Sequence, residues 1–141
     1  SCCRSRQSAR FAETYNKMGM IPGAGGAYYL PRVIGLSRAL KMLWTADFME
    51  TEEALRIGLI DEVHPDAELM DKAMALAERI AAQPSLAVRL TKTIACQGLA
   101  MDLRSALNLA ASTMPIVRTS DDHREAVAAF REKRKPDFTG R

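Results

Sequence analysis

Gly19-Met20-Ile21-Pro22-Gly23-Ala24-Gly25-Gly26 is the stretch on which the reading of this chain turns. Pro22-Gly23 marks a turn, and the close-set glycines Gly23, Gly25 and Gly26 allow a backbone path closed to other residues. A loop of this kind ahead of a helix can aim backbone N–H groups at an anion or a polarised oxygen. Two familiar phosphate loops fail on the residues. The dinucleotide fingerprint needs a glycine where Tyr28 stands, and no Lys-Ser or Lys-Thr follows as a Walker loop requires. On spacing alone, a tight turn that packs close to its neighbours is the favoured explanation of the run.

Downstream, Ala27, Leu30, Val33 and Ile34 recur at helical spacing, and Pro31 and Gly35 interrupt them. A short or bent helix and then a break are expected. Leu36, Leu40, Leu43 and Trp44 mark a second helix. Thr51-Glu52-Glu53 reads as a helix start with Thr51 as its cap, and Gly58 as its end. Leu59 to Val63 reads as a strand closed by Pro65. Asp66 is expected to cap a helix whose inward face holds Leu69, Ala73, Leu76, Ala77 and Ile80. Further helices are expected from Pro84-Ser85 to Gly98 and from about Met101 to Ser112. The last begins at a Ser120 cap, with Asp121 and Asp122 in its first turn, Lys133-Arg134-Lys135 in its last, and Pro136 as the stop. Upstream, Arg10 to Thr14 carries a weak extended signal, and residues 1–9 show no apolar periodicity.

With 141 residues the chain is one domain or part of one. Its 48% hydrophobic and 26% charged residues suit a globular chain. No apolar run approaches the ~20 residues of a membrane span. Ser1 to Arg10 is polar and basic, unlike a secretory signal. A net charge of +3, without interleaved aromatic and basic residues, argues against a nucleic-acid binder. Cys2, Cys3 and Cys96 form no disulfide framework, so the cytoplasm is the expected compartment. His64 and His123 lack zinc-site spacing, and no metal is expected.

Phe11-x-Glu13-x(5)-Gly19-x-Ile21-Pro22-Gly23-Ala24-Gly25-Gly26, followed by Leu30-Pro31-Arg32-x-Ile34-Gly35, resembles the crotonase superfamily of enoyl-CoA hydratase/isomerase proteins. The likeness continues through Thr45-Ala46-Asp47 and Gly58-Leu59-Ile60-Asp61-Glu62-Val63. It ends at Ala129-Phe130-x-Glu132-Lys133-Arg134-Lys135-Pro136-x-Phe138. The resemblance implies an α/β crotonase-like fold, a spiral of ββα turns followed by a helical trimerisation region, with this chain as its mostly helical C-terminal half. Residues 1–8 are then an atypical or artefactual start, because they make a poor strand where the family has one. Residues 9–65 are the end of the spiral core, and 66–141 the trimerisation region.

The resemblance further implies hydration or double-bond isomerisation of an enoyl-CoA thioester. Coenzyme A comes with the substrate, no separate cofactor is needed, and the assembly is a homotrimer or hexamer. The family's thioester-holding N–H groups would lie upstream of these residues, so the chain alone is expected to be inactive. A non-catalytic CoA-binding or oligomerisation module is the alternative. Of the two glutamates that hydratases use, the second falls at Tyr15, where this chain departs from the pattern. A phenol with an ordinary pKa near 10 is a poor base. Three roles stay open for Tyr15: lining the acyl pocket, donating a hydrogen bond to substrate, or plain packing. Glu13 would share a face with Tyr15 if the segment is extended, and so approach the same pocket; a structural ion pair or cap is its other role. Gly23 matches the position whose N–H holds the attacking water, as in hydratases. Met18, Met20, Pro22 and Trp44 are candidates for substrate binding, with core packing as the plain alternative for the methionines and the tryptophan. Phe130 and Lys133 match positions that touch CoA, a ring for adenine and an ammonium for phosphate. Without the resemblance, Lys133-Arg134-Lys135 is a solvated helix end.

Overall fold

Gly35, at φ +81° and ψ 153°, is the break that the apolar pattern announces. It separates α1 (Gly26–Ile34) from α2 (Leu36–Thr45). Pro31 lies inside α1 and removes one backbone donor there, which the short helix absorbs. A computed structural model describes residues 3–141 of the chain. They fall into two compact units, Ser1–Met74 and Ala75–Arg141, and the division lies within a helix, α4 (Leu69–Ala81).

In the first unit α1 packs on α2. Ile34, Ala39 and Ile57 form its core, and Leu30, Met49 and Leu59 pack around them. Its strands are short: β1 (Arg4–Arg6), β2 (Arg10–Phe11), β3 (Met49–Glu50) and β4 (Glu62–His64). β2 and β3 pair antiparallel, Arg10 opposite Glu50 and Phe11 opposite Met49. β1 and β4 pair parallel, Arg4 opposite Glu62 and Arg6 opposite His64. The chain therefore leaves β1, runs through α1, α2 and α3 (Thr51–Arg56), and returns alongside its start.

β1 corrects the expectation of no strand among residues 1–8; Ser1 and Cys2 lie outside the described residues. Apolar alternation is absent from Arg4-Ser5-Arg6 because charge fastens it. The Arg4 guanidinium bonds the Glu62 carboxylate at 3.0 Å and donates to the Lys72 carbonyl. His64 Nε2 lies 2.9 Å from the same carboxylate. The His64 ring and the Arg4 guanidinium hold Glu62 below the usual carboxylate range.

Thr51 does not cap α3; Glu50 occupies that place, without a side-chain cap bond. The buried Thr51 hydroxyl turns instead to the corner between β1 and β2. Its Oγ1 lies 2.7 Å from the Ala9 carbonyl oxygen, 3.1 Å from that of Gln7 and 3.3 Å from that of Arg6. Its single hydrogen serves the Ala9 carbonyl best, while the Arg6 carbonyl already accepts from the Ala9 N–H at 3.1 Å. Gly58, at φ +77°, ends α3 as expected. Asp66 does not cap α4. Its carboxylate accepts from the Ser8 hydroxyl and backbone N–H, which hold it below the usual carboxylate range.

In the second unit α5 (Ser85–Gly98) packs on α6 (Leu103–Arg118), and α6 on α7 (Asp121–Glu132). α6 runs beyond the expected Ser112 and through Pro115. Asp102 caps α6 by accepting from the Ser105 N–H at 3.0 Å, and Ser120 caps α7 by accepting from the His123 N–H at 3.1 Å. α7 stops before the basic run, since Lys133 takes a left-handed conformation at φ +53°. Lys133-Arg134-Lys135 is thus not its last turn, and Pro136 is not its stop. The tail folds back along the helix. Arg134 Nη2 donates to Glu125 Oε2 at 2.9 Å, and the Asp137 N–H donates to Glu125 Oε1 at 2.9 Å. Asp122, 1% exposed, accepts from the N–H groups of Thr139 at 2.8 Å and Gly140 at 3.1 Å.

Two outcomes follow for this tail. Asp122→Ala strips the acceptor from two backbone donors and is expected to cost about 1.5–3 kcal/mol, the usual worth of bonds to a charged group, in thermal or urea unfolding. An unchanged midpoint would contradict the lock. The Arg134 guanidinium and the Asp137 N–H lower Glu125 from 4.5 to about 2. A carboxyl lowered on folding stabilises above its unfolded pKa and loses that as pH falls through the folded value. The protection factor of the Asp137 amide, its rate taken against the unfolded chain at the same pH, should therefore hold down to about pH 4.5 and fall between there and about pH 2. Glu125→Gln should flatten that step.

Candidate active site

Strand β2 delivers the chain to the site and stops at Phe11. Tyr15–Met18 then forms a short 3-10 helix packed on α2. Glu13 and Tyr15 therefore do not share a strand face, which corrects the expectation from an extended segment. The backbone reverses at Gly19, at φ +66°, and Met20 donates its N–H to the Tyr15 carbonyl at 3.1 Å. The glycine run turns again at Gly25, at φ +95°, and α1 begins on the next residue. The Gly25 carbonyl accepts from the N–H groups of Tyr28 at 3.0 Å and Tyr29 at 2.9 Å. No side chain caps this helix. Its first N–H groups lack intrahelical partners and carry the positive end of the helix dipole.

Three glycines of this run are glycine for three different reasons. Gly25 has a backbone that disfavours other residues, and a Cβ there would lie 3.0 Å from the Tyr29 ring. Gly26 has an ordinary backbone, but a Cβ would stand 2.5 Å from Glu13 Oε1 and 3.1 Å from Pro22 Cβ. Gly23 has neither constraint. Its φ is not positive, and nothing lies within 4 Å of the place a Cβ would take.

The structure thus brings Glu13, Pro22 and Gly26 together in the turn that also carries Gly23. Glu13, Tyr15 and Pro22 are half-buried. Met18 (62% exposed), Met20 and Trp44 (68% exposed) are not core residues, so plain packing in this chain does not account for them. Phe130 is 86% exposed near the end of α7, and Lys133 is exposed at its left-handed cap. Both belong to the second unit. None of these residues lines either of two open grooves of the first unit. One of about 540 Å³ is bordered by Arg38, Met42, Phe48 and Ile57, and one of about 620 Å³ by Thr51, Leu55 and His64. Beside the first, Arg56 holds the Glu53 carboxyl below its usual range. Among the described residues, no group of three His, Cys, Asp or Glu side chains is placed to hold a metal ion, and no helix is long and apolar enough to cross a membrane.

Sequence reasoning passed over Gly26 as a contact residue, the Thr51 corner and the Asp122 lock. Only Gly26 carried a visible signal, as a glycine that no turn geometry demands.

A parallel strand pair closed by a helical crossover, a glycine turn feeding an uncapped helix and a helical second unit define the class: this is the crotonase fold, mostly helical here, with few short strands. Residues 4–141 match the enoyl-CoA hydratase/isomerase family model, and the chain belongs to that family. It is 36% identical to a crotonyl-CoA hydratase of Syntrophomonas wolfei, over 97% of this chain and 54% of that protein. It is 41% identical to a probable enoyl-CoA hydratase of Rhodobacter capsulatus, over 96% and 52%. The crystal structure of an enoyl-CoA hydratase from Bacillus anthracis superposes with a TM-score of 0.94 at 36% identity, over 98% of this chain and 54% of that one. The chain spans about half the length of these relatives.

Gly25→Ala tests the turn. Forcing a Cβ onto a left-handed residue against the Tyr29 ring is expected to cost about 1–3 kcal/mol in thermal unfolding. An unshifted midpoint would contradict the turn geometry.

Proposed function

We propose that the complete protein hydrates a 2-enoyl-CoA thioester or isomerises its double bond. The observation that carries this reading is Gly23. Among the described residues neither a positive φ nor a neighbouring atom calls for glycine there, which suits close approach of a ligand to its N–H. In hydration the Glu13 carboxylate takes a proton from water as the water oxygen bonds to C3 of the enoyl chain. The π electrons of the C2–C3 bond move toward the thioester oxygen, and as they return C2 takes up the proton that Glu13 removed from the water, which restores the carboxylate. The Gly23 N–H holds that water. Tyr15 and Pro22 line the acyl pocket with Met18, Met20 and Trp44, and the exposed surfaces of the last three suit a flexible chain. Phe130 and Lys133 meet the adenine and phosphates of CoA, which the substrate itself carries. The free, exposed thiols of Cys3 and Cys96 suit the cytoplasm.

Exposed Leu99, Leu103, Leu107, Met114 and Ile116 on and beside α5 and α6 support assembly as a homotrimer or hexamer. Tyr15 in place of a carboxylate supports a second reading, a non-catalytic CoA-binding or oligomerisation module.

Turnover separates the two. The complete protein should convert crotonyl-CoA or a 3-enoyl-CoA. Glu13→Gln should lower kcat by about 10²–10⁴, the usual yield of a positioned acid or base. Tyr15→Ala should raise KM more than it lowers kcat. Binding of CoA without turnover would favour the module. Sedimentation should give the mass of a trimer or hexamer; a stable monomer would count against the assembly.

A further inference from the structure

Gly26 is the one residue of the turn whose missing side chain is filled by another residue's functional group. Its backbone is ordinary helix, so conformation does not call for glycine. The space a Cβ would fill holds the Glu13 carboxyl, with Oε1 at 2.5 Å and Cδ at 3.0 Å from the Cβ position. Pro22 Cβ, at 3.1 Å from the same position, closes the other side. We propose that Gly26 is a positioning residue: the notch between Gly26 and Pro22 seats the Glu13 carboxyl against the first turn of α1, and so sets the aim of the acid–base group. This rests on the reading of Glu13 as the working carboxyl.

The physics favours aim over stability. The atom that a new Cβ meets most closely is the free end of a flexible side chain, while Pro22 Cβ at 3.1 Å must give by only a few tenths of an ångström, so a methyl group at Gly26 chiefly turns the carboxyl out. An acid–base group moved by about 1 Å loses on the order of 10²-fold in rate.

The test is a double-mutant cycle in the complete protein with crotonyl-CoA. Gly26→Ala should lower kcat by about 10²-fold, with KM changed less than about threefold. In a Glu13→Gln background the same change should do almost nothing, because the group it displaces no longer works. Equal losses in both backgrounds, or an unchanged kcat in the single variant, overturn the proposal. Full turnover by Glu13→Gln alone overturns instead the reading of the site. In that case, or if Gly26→Ala fails to fold, thermal melting decides: removing the obstruction with Glu13→Ala should recover what Gly26→Ala loses. A double variant no more stable than Gly26→Ala overturns the seat.

Discussion

Helix α1 starts on a left-handed glycine, and the site depends on that constraint. With Gly25 at φ +95° the chain passes from turn to helix in one step, and no side chain reaches over to occupy the first N–H groups. α2 likewise starts from a glycine without a side-chain cap. In the second unit α5 also starts without a side-chain cap, but α6 and α7 do not. Asp102 and Ser120 cap α6 and α7 in the ordinary way, each accepting a backbone N–H. The first N–H groups of α1 are left free, and a helix start of that kind favours a partial negative charge.

The rest of the first unit works to hold that turn. The antiparallel pair Phe11–Met49, with the Arg10–Glu50 ion pair at 2.8 Å beside it, aims the chain at Glu13. The Thr51 hydroxyl ties the corner just upstream, and the Ser8–Asp66 bonds tie it again. These are small, partly exposed interactions. Together they confine a segment with little apolar anchoring of its own, and so present a half-buried carboxyl to a notch in a neighbouring helix. The second unit is held by packing of α5 on α6 and by acids that lace the tail to α7, and much of its apolar surface faces outward.

Much of this could be read from the residues, because punctuation and period are local. Gly35 and Gly58 end helices where they stand, and Ser120 begins one. Failures came where a tertiary partner outbid a local rule. Thr51 satisfies every sequence criterion for a cap, yet its hydroxyl is also a donor, and carbonyls distant in sequence claimed it. Asp66 lost its cap role to Ser8 in the same way. Arg4-Ser5-Arg6 shows no alternation because the strand is fastened through Glu62. At the site, the glycine run and the two candidates Glu13 and Tyr15 were visible. What seats Glu13 was not, since its distance to Gly26 depends on the 3-10 helix between them. The missing carboxylate at Tyr15 was legible as a departure, and the nearby glutamate as its possible replacement.

The central claim is that the glycine turn and Glu13 form one acid–base site for a thioester. A crystal structure of the complete protein with an unreactive acyl-CoA thioester tests it most directly. The account predicts the Gly23 N–H facing the water or oxygen beside the reacting carbons, and the Glu13 carboxyl within hydrogen-bond reach, about 2.6–3.2 Å, of that oxygen. A thioester bound away from the turn, or Glu13 turned from it into a structural ion pair, would contradict the account.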